Sequence, residues 1–156
     1  MKGIIDPSFK RVIGSAGNVK EWNGEVSFPE PSSYKILFTL NNLDNASDGI
    51  QPGLDKIARA INLYGQTLVD LDNLSIIVLV SGPAVEMFNT HNYSYEKNQQ
   101  VLMDLVNAGV SFMICSQALA NKGIAKNVLP PFVDIVLSAM TTSVELQTLG
   151  YAVLTL

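Results

Sequence analysis

The residue of this chain best suited to covalent chemistry is Cys115, its only cysteine. It follows a mostly apolar run over residues 110–114 and precedes a stretch of polar and small residues over 116–123. The pattern predicts a strand followed by a short helix, with the thiol where the strand ends and the helix begins. Open α/β sheets bind ligands at that edge, and helix N–H groups favour an anion such as a thiolate. The sequence therefore indicates a place for thiol chemistry.

Polar residues also follow the other predicted strands. Because the carboxyl ends of parallel strands meet at one edge of a sheet, we expect a small polar pocket around the thiol. Besides Cys115, its predicted members are Asn41, Asn42, Ser81, Gly82, Ser116, Gln117, Ser138, Thr141 and Thr142. A helix N-terminus stabilises an anion by only about 0.3–1 kcal/mol, so this environment alone predicts a moderately reactive thiol. The alternative that Cys115 is a small buried apolar residue at a strand end stays open.

The elements that must position these residues alternate between strand and helix. Apolar runs predict strands over residues 34–40, 74–80, 110–114, 132–137 and 151–156. Helical spacing predicts a first helix from Leu54 to Leu68 and a second around Val101–Val106, and a capping box over Thr142–Glu145 predicts a third that ends at Gly150. We interpret residues 88–98 as a lid or interface loop. This order predicts an α/β fold with a mostly parallel five-stranded sheet and helices on both faces.

The first 32 residues lack a sustained period and contain four glycines. We predict an N-terminal arm over residues 1–32 and an α/β domain over residues 33–156. Trp22 and Phe28 are the residues expected to hold the arm against the body or against a neighbouring subunit.

Composition limits the partners that the chain can have. At 156 residues it is long enough for one domain with its own core. The chain is 47% hydrophobic and only 15% charged, which predicts a homo-oligomer whose subunits cover apolar surface. Scattered basic residues and a net charge of −4 argue against nucleic acid. No apolar stretch reaches the roughly 18 residues of a membrane span, so we expect a soluble chain.

Other kinds of site fit the sequence poorly. Asp44, Asp48, Gly49 and Asp55 match part of a calcium-loop template, but Ala46 removes a ligand and Asp55 is expected to begin a helix. The loop after the first strand lacks the glycine and hydroxyl content of a flavin phosphate site. His91, in a polar stretch, is expected at the surface. We therefore expect no metal and no cofactor.

Several short motifs lie around these positions in a fixed order. They are Pro52-Gly53-Leu54-Asp55, Ser81-Gly82-Pro83-Ala84, Gly109-Val110, Cys115-Ser116-Gln117-Ala118-Leu119-Ala120, Gly123-Ile124, Leu137-Ser138-Ala139 and Leu146-Gln147-Thr148-Leu149-Gly150-Tyr151-Ala152. In these motifs residues 33–156 resemble the DsrE/DsrF-like family of small sulfur-relay proteins. The resemblance implies a three-layer α/β/α sandwich, assembly into trimers or hexamers, and a cysteine at the position of Cys115 that carries sulfur as a persulfide. Relatives with these motifs are often exported, which implies a periplasmic location if a leader has been removed; the chain as given is expected in the cytoplasm.

Two functional hypotheses follow. In the first, Cys115 takes sulfane sulfur from a donor, holds it as a persulfide and passes it to a partner protein, as a sulfurtransferase-like carrier would. In the second, the chain is a non-catalytic oligomeric module for small-ligand binding or assembly, and Cys115 is structural. Whether the protein is an enzyme stays open at this point.

Overall fold

The computed structural model describes residues 2–5, 11–44 and 49–156, and the structural statements that follow concern those residues. Seven strands form two sheets. They are β1 (Lys2–Ile4), β2 (Glu25–Ser27), β3 (Tyr34–Leu40), β4 (Leu74–Val80), β5 (Ser111–Cys115), β6 (Val133–Val136) and β7 (Ala152–Thr155). β1 and β2 pair antiparallel, and the other five strands form one sheet in the order β6-β5-β4-β3-β7.

Every pairing in the five-stranded sheet is parallel. β3 and β4 have the bounds predicted from the sequence. The other three strands lie where they were predicted, and each of their ends differs by one residue. The α/β fold with a parallel sheet is thereby confirmed.

Four α-helices connect these strands. They are α1 (Pro52–Tyr64), α2 (Tyr93–Asn107), α3 (Ser116–Lys122) and α4 (Ala139–Thr148). Shorter 3-10 turns cover residues 71–73, 82–88 and 126–128. None of the helices in the described part of the chain is long and apolar enough to cross a membrane.

Two helix starts differ from the sequence predictions. α2 begins at Tyr93, inside the stretch interpreted as an irregular lid, because the Asn92 side chain accepts a hydrogen bond from Ser94 N at 2.8 Å and caps the helix. α4 begins at Ala139 because Ser138 is its N-cap and accepts from Thr141 N at 3.0 Å. The predicted capping box that begins at Thr142 is therefore wrong.

The two faces of the sheet are covered by different helices. Ile36, Phe38 and Leu40 of β3 belong to the larger apolar cluster, together with residues of α1, α2 and α3. Leu37 of the same strand lies in a smaller cluster with Leu146 of α4. Side chains of a strand alternate between the faces of a sheet, and right-handed crossovers put the first three helices on one face and α4 on the other. The result is a three-layer α/β/α sandwich.

The described part of the N-terminal arm folds back onto α1. The buried side chain of Asn62 accepts from Ile13 N at 2.7 Å and donates to the carbonyl oxygens of Ile13, Ala16 and Gly17. Gly17 has a φ of +73°, and a Cβ there would lie 2.4 Å from the backbone nitrogen of Arg59. Only glycine allows this close approach.

The predicted anchor Trp22 is 62% exposed, so it does not enter the core of this chain. The buried apolar residues of the arm are Ile13 and Ala16. Residues 1 and 6–10 of the predicted arm lie outside the described residues.

Candidate functional site

Cys115 is the last residue of β5 and the N-cap of α3, as the sequence predicts. Its side chain is only 6% exposed and belongs to the larger apolar cluster. The first N–H groups of a helix have no partner within the helix, yet the Cys115 side chain accepts no capping hydrogen bond in this conformation. The thiol is therefore next to suitable donors for an anion without using them.

The register of the sheet places several predicted site residues in one row. Leu40 pairs with Val80, Val80 with Ile114, and Cys115 with Val136. Extending this register by one residue sets Asn41 and Ser81 level with Cys115. Ser81 follows β4, the strand next to β5, and Asn41 follows β3, the strand after that. Since neighbouring strands lie about 4.8 Å apart, Ser81 is one strand spacing from Cys115 and Asn41 is two.

A tight backbone contact joins the ends of β3 and β4. Ser81 N donates to the Leu40 carbonyl oxygen at 3.0 Å. Gly82 has a φ of +54°, and a Cβ there would lie 3.0 Å from the Asn41 carbonyl oxygen. This contact requires a residue without a side chain at position 82.

On the other side of Cys115, the predicted polar residues hydrogen-bond to each other and to the backbone. Ser116 Oγ donates to the Leu137 carbonyl oxygen at 2.7 Å, and Gln117 Nε2 donates to Ser116 Oγ at 3.3 Å. The hydroxyls of Ser138 and Thr141 lie 2.9 Å apart at the N-terminus of α4. These contacts tie the start of α3 to the end of β6.

Thr142, the last member of the predicted pocket, is buried in the first turn of α4. Its amide donates to the Ser138 carbonyl oxygen at 3.1 Å. This hydrogen bond belongs to the first turn of α4, so Thr142 helps to form the start of that helix.

A buried amide network beside Asn42 was missed by the sequence interpretation. Gln51, the N-cap of α1, accepts from Leu54 N at 3.0 Å and donates through Nε2 to Asn42 Oδ1 at 3.0 Å. Gln51 N in turn donates to Asn98 Oδ1 at 2.8 Å. The network fixes the chain after β3 against α1 and α2. Its only sequence signal was a polar residue directly before Pro52, where an N-cap is expected.

Lys122, the basic residue of α3, lies at the opposite end of that helix from the thiol. Lys122 is in the last turn of α3, about 10 Å along the helix axis from Cys115 at about 1.5 Å per residue. His91 is exposed, as predicted.

The Asp55 carboxylate accepts from Gly17 N at 2.8 Å and from Arg59 Nη2 at 2.7 Å, in the first turn of α1. The other residues of the calcium-loop template include Ala46 and Asp48, which lie outside the described residues.

Comparison with known proteins gives the chain its family. Residues 35–156 match the DsrE/DsrF-like family. The chain belongs to the DsrE/DsrF-like family. The match begins at the second residue of β3 and includes Cys115 and every predicted pocket residue. The arm lies outside the family match.

Among solved structures, this DsrE/DsrF-like chain is similar to a protein of unknown function, MTH1491 from Methanobacterium thermoautotrophicum. The two share 23% identity with a TM-score of 0.63, over 80% of this chain and 100% of that chain. At this identity the likeness shows the fold alone. No functionally curated protein matches the chain.

Proposed function

We propose that the protein is a sulfur-relay carrier in which Cys115 holds sulfane sulfur as a persulfide. The observation that carries the proposal is the position of Cys115 as the N-cap of α3 at the carboxyl edge of the sheet. Membership of the DsrE/DsrF-like family supports the same chemistry. At this position the thiolate and the persulfide anion would both lie next to the N–H groups of the first turn of α3.

The transfer consists of two exchanges in which atoms and charge balance. The Cys115 thiolate attacks the outer sulfur of a donor persulfide, a bond forms between Sγ and that sulfur, and the donor leaves as its thiolate with the electron pair. An acceptor thiolate on a partner protein then attacks the outer sulfur of the Cys115 persulfide. Cys115 leaves as the thiolate, ready for the next donor.

Access to the thiol requires a movement, because the side chain is only 6% exposed. α3 is the element best placed to move. It has seven residues, and only Ala118 and Leu119 are buried in the apolar cluster. Displacement of this short helix from the apolar cluster would uncover Sγ.

The direct test is intact-mass analysis after exposure of the folded protein to inorganic polysulfide. We expect a mass increase of one sulfur atom that maps to Cys115, disappears on reduction and does not occur in Cys115→Ser. A thiol that reacts with neither polysulfide nor a small alkylating agent until the protein is denatured would refute the carrier proposal.

The burial of Cys115 favours a second candidate, a non-catalytic module for small-ligand binding or assembly in which the thiol only packs. In that case Cys115→Ala keeps both the oligomeric state and any ligand affinity. The polysulfide experiment separates the candidates, because a packing residue acquires no reducible sulfur in the folded protein.

We also propose that the protein is a homo-oligomer formed through the outer surface of α4. Met140 and Val144 are exposed, Met140 by 80%, and their spacing of four residues puts them on one side of the helix. Leu137, which is also exposed, lies just before the N-cap of α4. Exposed apolar side chains grouped in this way are typical of subunit interfaces. The trimer or hexamer expected from the family resemblance would cover them.

The subunit number can be measured by sedimentation or by light scattering. Val144→Glu places a carboxylate in the patch and is expected to yield monomers. Leu68→Glu, at an exposed leucine outside α4, is the matched control and should leave the assembly intact. A monomeric wild-type protein at micromolar concentration would contradict the proposal.

A further inference from the structure

Two adjoining cavities lie between the N-terminal arm and α1, outside the site described above. The first, the head cavity, has a volume of about 550 Å³ and is lined by Arg11, Lys20, Glu21, Trp22 and Gln66, among others. The second, the tail cavity, has a volume of about 360 Å³ and is lined by Val26, Phe28, Pro29, Leu63, Tyr64 and Gln66, among others. Both volumes lie in the range of small-molecule sites.

The two cavities differ in chemistry and share a boundary. Ile5 and Gln66 line both of them, so a ligand could extend from one into the other past these two side chains. The tail cavity is formed mainly by aliphatic and aromatic groups, which favour a hydrocarbon segment. The head cavity is more polar than the tail cavity. Among its described lining residues are two cations, Arg11 and Lys20, and one carboxylate, Glu21. A single ligand that fills both cavities would therefore have an apolar tail and an anionic head.

Within the described residues, Arg11 uses only part of its donor capacity, which leaves donors for such a head group. Arg11 Nη2 donates to the Ala16 carbonyl oxygen at 2.7 Å, and a guanidinium carries five N–H donors in all. The contact also fixes the Arg11 side chain against the arm. A carboxylate in the head cavity would receive charge-assisted hydrogen bonds from a side chain that is already held in place.

Gln66 specifies a further feature of the ligand. Its Oε1 is buried and has no hydrogen-bond partner among the described residues, in contrast to the fully bonded side-chain amide of Asn62 one turn earlier. A buried acceptor without a donor is costly. Rotation of the Gln66 side chain would present this oxygen at the boundary of the cavities, where a ligand N–H could satisfy it.

We propose that these cavities bind a small anionic amphiphile with a hydrogen-bond donor between tail and head. The tail would occupy the apolar cavity, the donor would reach Gln66, and the anionic group would lie near Arg11 and Lys20. N-acyl amino acids combine these three features, so N-octanoylglycine is a suitable probe. Trp22 is the only tryptophan of the chain and lines the head cavity, so its fluorescence reports occupancy directly.

The experiment is a titration of the full-length protein with N-octanoylglycine, followed by Trp22 emission and by calorimetry. We expect saturable binding that strengthens about threefold to fourfold for each methylene added between the butanoyl and octanoyl compounds. The methyl ester, which lacks the negative charge, should bind about tenfold more weakly. The ester analogue that replaces the N–H by oxygen should bind about fivefold more weakly.

Paired variants locate the site. Leu63→Glu introduces a charge at an exposed residue of the tail cavity and should weaken binding at least tenfold, whereas Leu68→Glu, outside both cavities, should not. Arg11→Gln should weaken binding about tenfold. Arg59→Gln is its control, because Arg59 also donates to the arm, at Asn18 O, but lines neither cavity.

Three results would overturn the inference. One is the absence of any saturable change below the concentration at which the probe forms micelles. The second is equal affinity for the free acid and its methyl ester. The third is equal weakening within either variant pair, which would show binding elsewhere or a general loss of the fold.

Discussion

Replacement of Cys115 by serine and by alanine tests whether the helix N–H groups can reach the side chain at this position. The carrier proposal needs these donors to stabilise a sulfur anion. A serine hydroxyl needs the same donors, since serine is a favoured N-cap and its oxygen accepts from the first turn. The difference in stability between the two variants therefore measures whether the donors are available.

Two opposing effects decide whether Cys115→Ser is more or less stable than Cys115→Ala. A capping hydroxyl stabilises a helix by about 0.5–2 kcal/mol relative to alanine. A hydroxyl buried without a partner costs about 1–3 kcal/mol, and position 115 is only 6% exposed. If the donors are within reach, Cys115→Ser should be more stable than Cys115→Ala by about 1 kcal/mol. For a chain of this length that corresponds to about 2–4 °C in Tm.

Urea unfolding gives both free energies, and one fixed protein concentration keeps the concentration-dependent contribution of assembly the same for the two variants. Ala84→Ser is the control, because Ala84 is fully buried in the same apolar cluster and is not an N-cap. It should lose about 1–3 kcal/mol. If Cys115→Ser is instead about 1 kcal/mol or more less stable than Cys115→Ala, the donors do not reach the side chain and the proposed stabilisation of the anion is refuted.

Three other substitutions test the surrounding structure. Asn62→Ala removes four hydrogen bonds to the arm and should cost about 2–5 kcal/mol in urea unfolding; a loss below about 1 kcal/mol would contradict the assigned contacts. Gly82→Ala should cost about 1–2 kcal/mol more than Gly123→Ala: both have positive φ, but only a Cβ at position 82 meets a carbonyl oxygen. Burial, and secondarily Tyr34, raises the pKa of Tyr64 above its ordinary value of 10.0. The stability that this neutral hydroxyl contributes is complete below about pH 10 and is lost as the pH rises through the folded pKa. Urea unfolding midpoints above about pH 10 should therefore fall further in the wild type than in Tyr64→Phe.

The buried strands could be predicted from the sequence because burial on both faces leaves a mostly apolar run. β3 and β4 are such strands, and their bounds were predicted to the residue. β6 and β7 lie at the two edges of the sheet and are largely exposed, so their ends were less distinct. The start of α4 was missed because Ser138 and Thr142 are both acceptable N-caps, and local sequence does not choose between them.

The candidate site was predictable in position but not in environment. Strand and helix patterns placed Cys115 at the β5–α3 junction, since that depends on local sequence. Its burial depends on which segments pack over the end of β5, and no local pattern contains that information. The same reason explains why Gln51 and Asn98 were missed, because a buried polar residue is defined by partners that are distant in sequence.

In the proposed oligomer, the thiol and the interface would be mechanically connected. Ser116 follows Cys115 directly, and its hydroxyl donates to the carbonyl oxygen of Leu137. Leu137 is also part of the exposed patch beside α4. A subunit docked on Leu137 would therefore hold the backbone to which the start of α3 is attached, and would restrain the helix whose movement uncovers Sγ. Assembly and sulfur access would then be linked through one hydrogen bond, so the reactivity of Cys115 has to be measured in a sample of known oligomeric state.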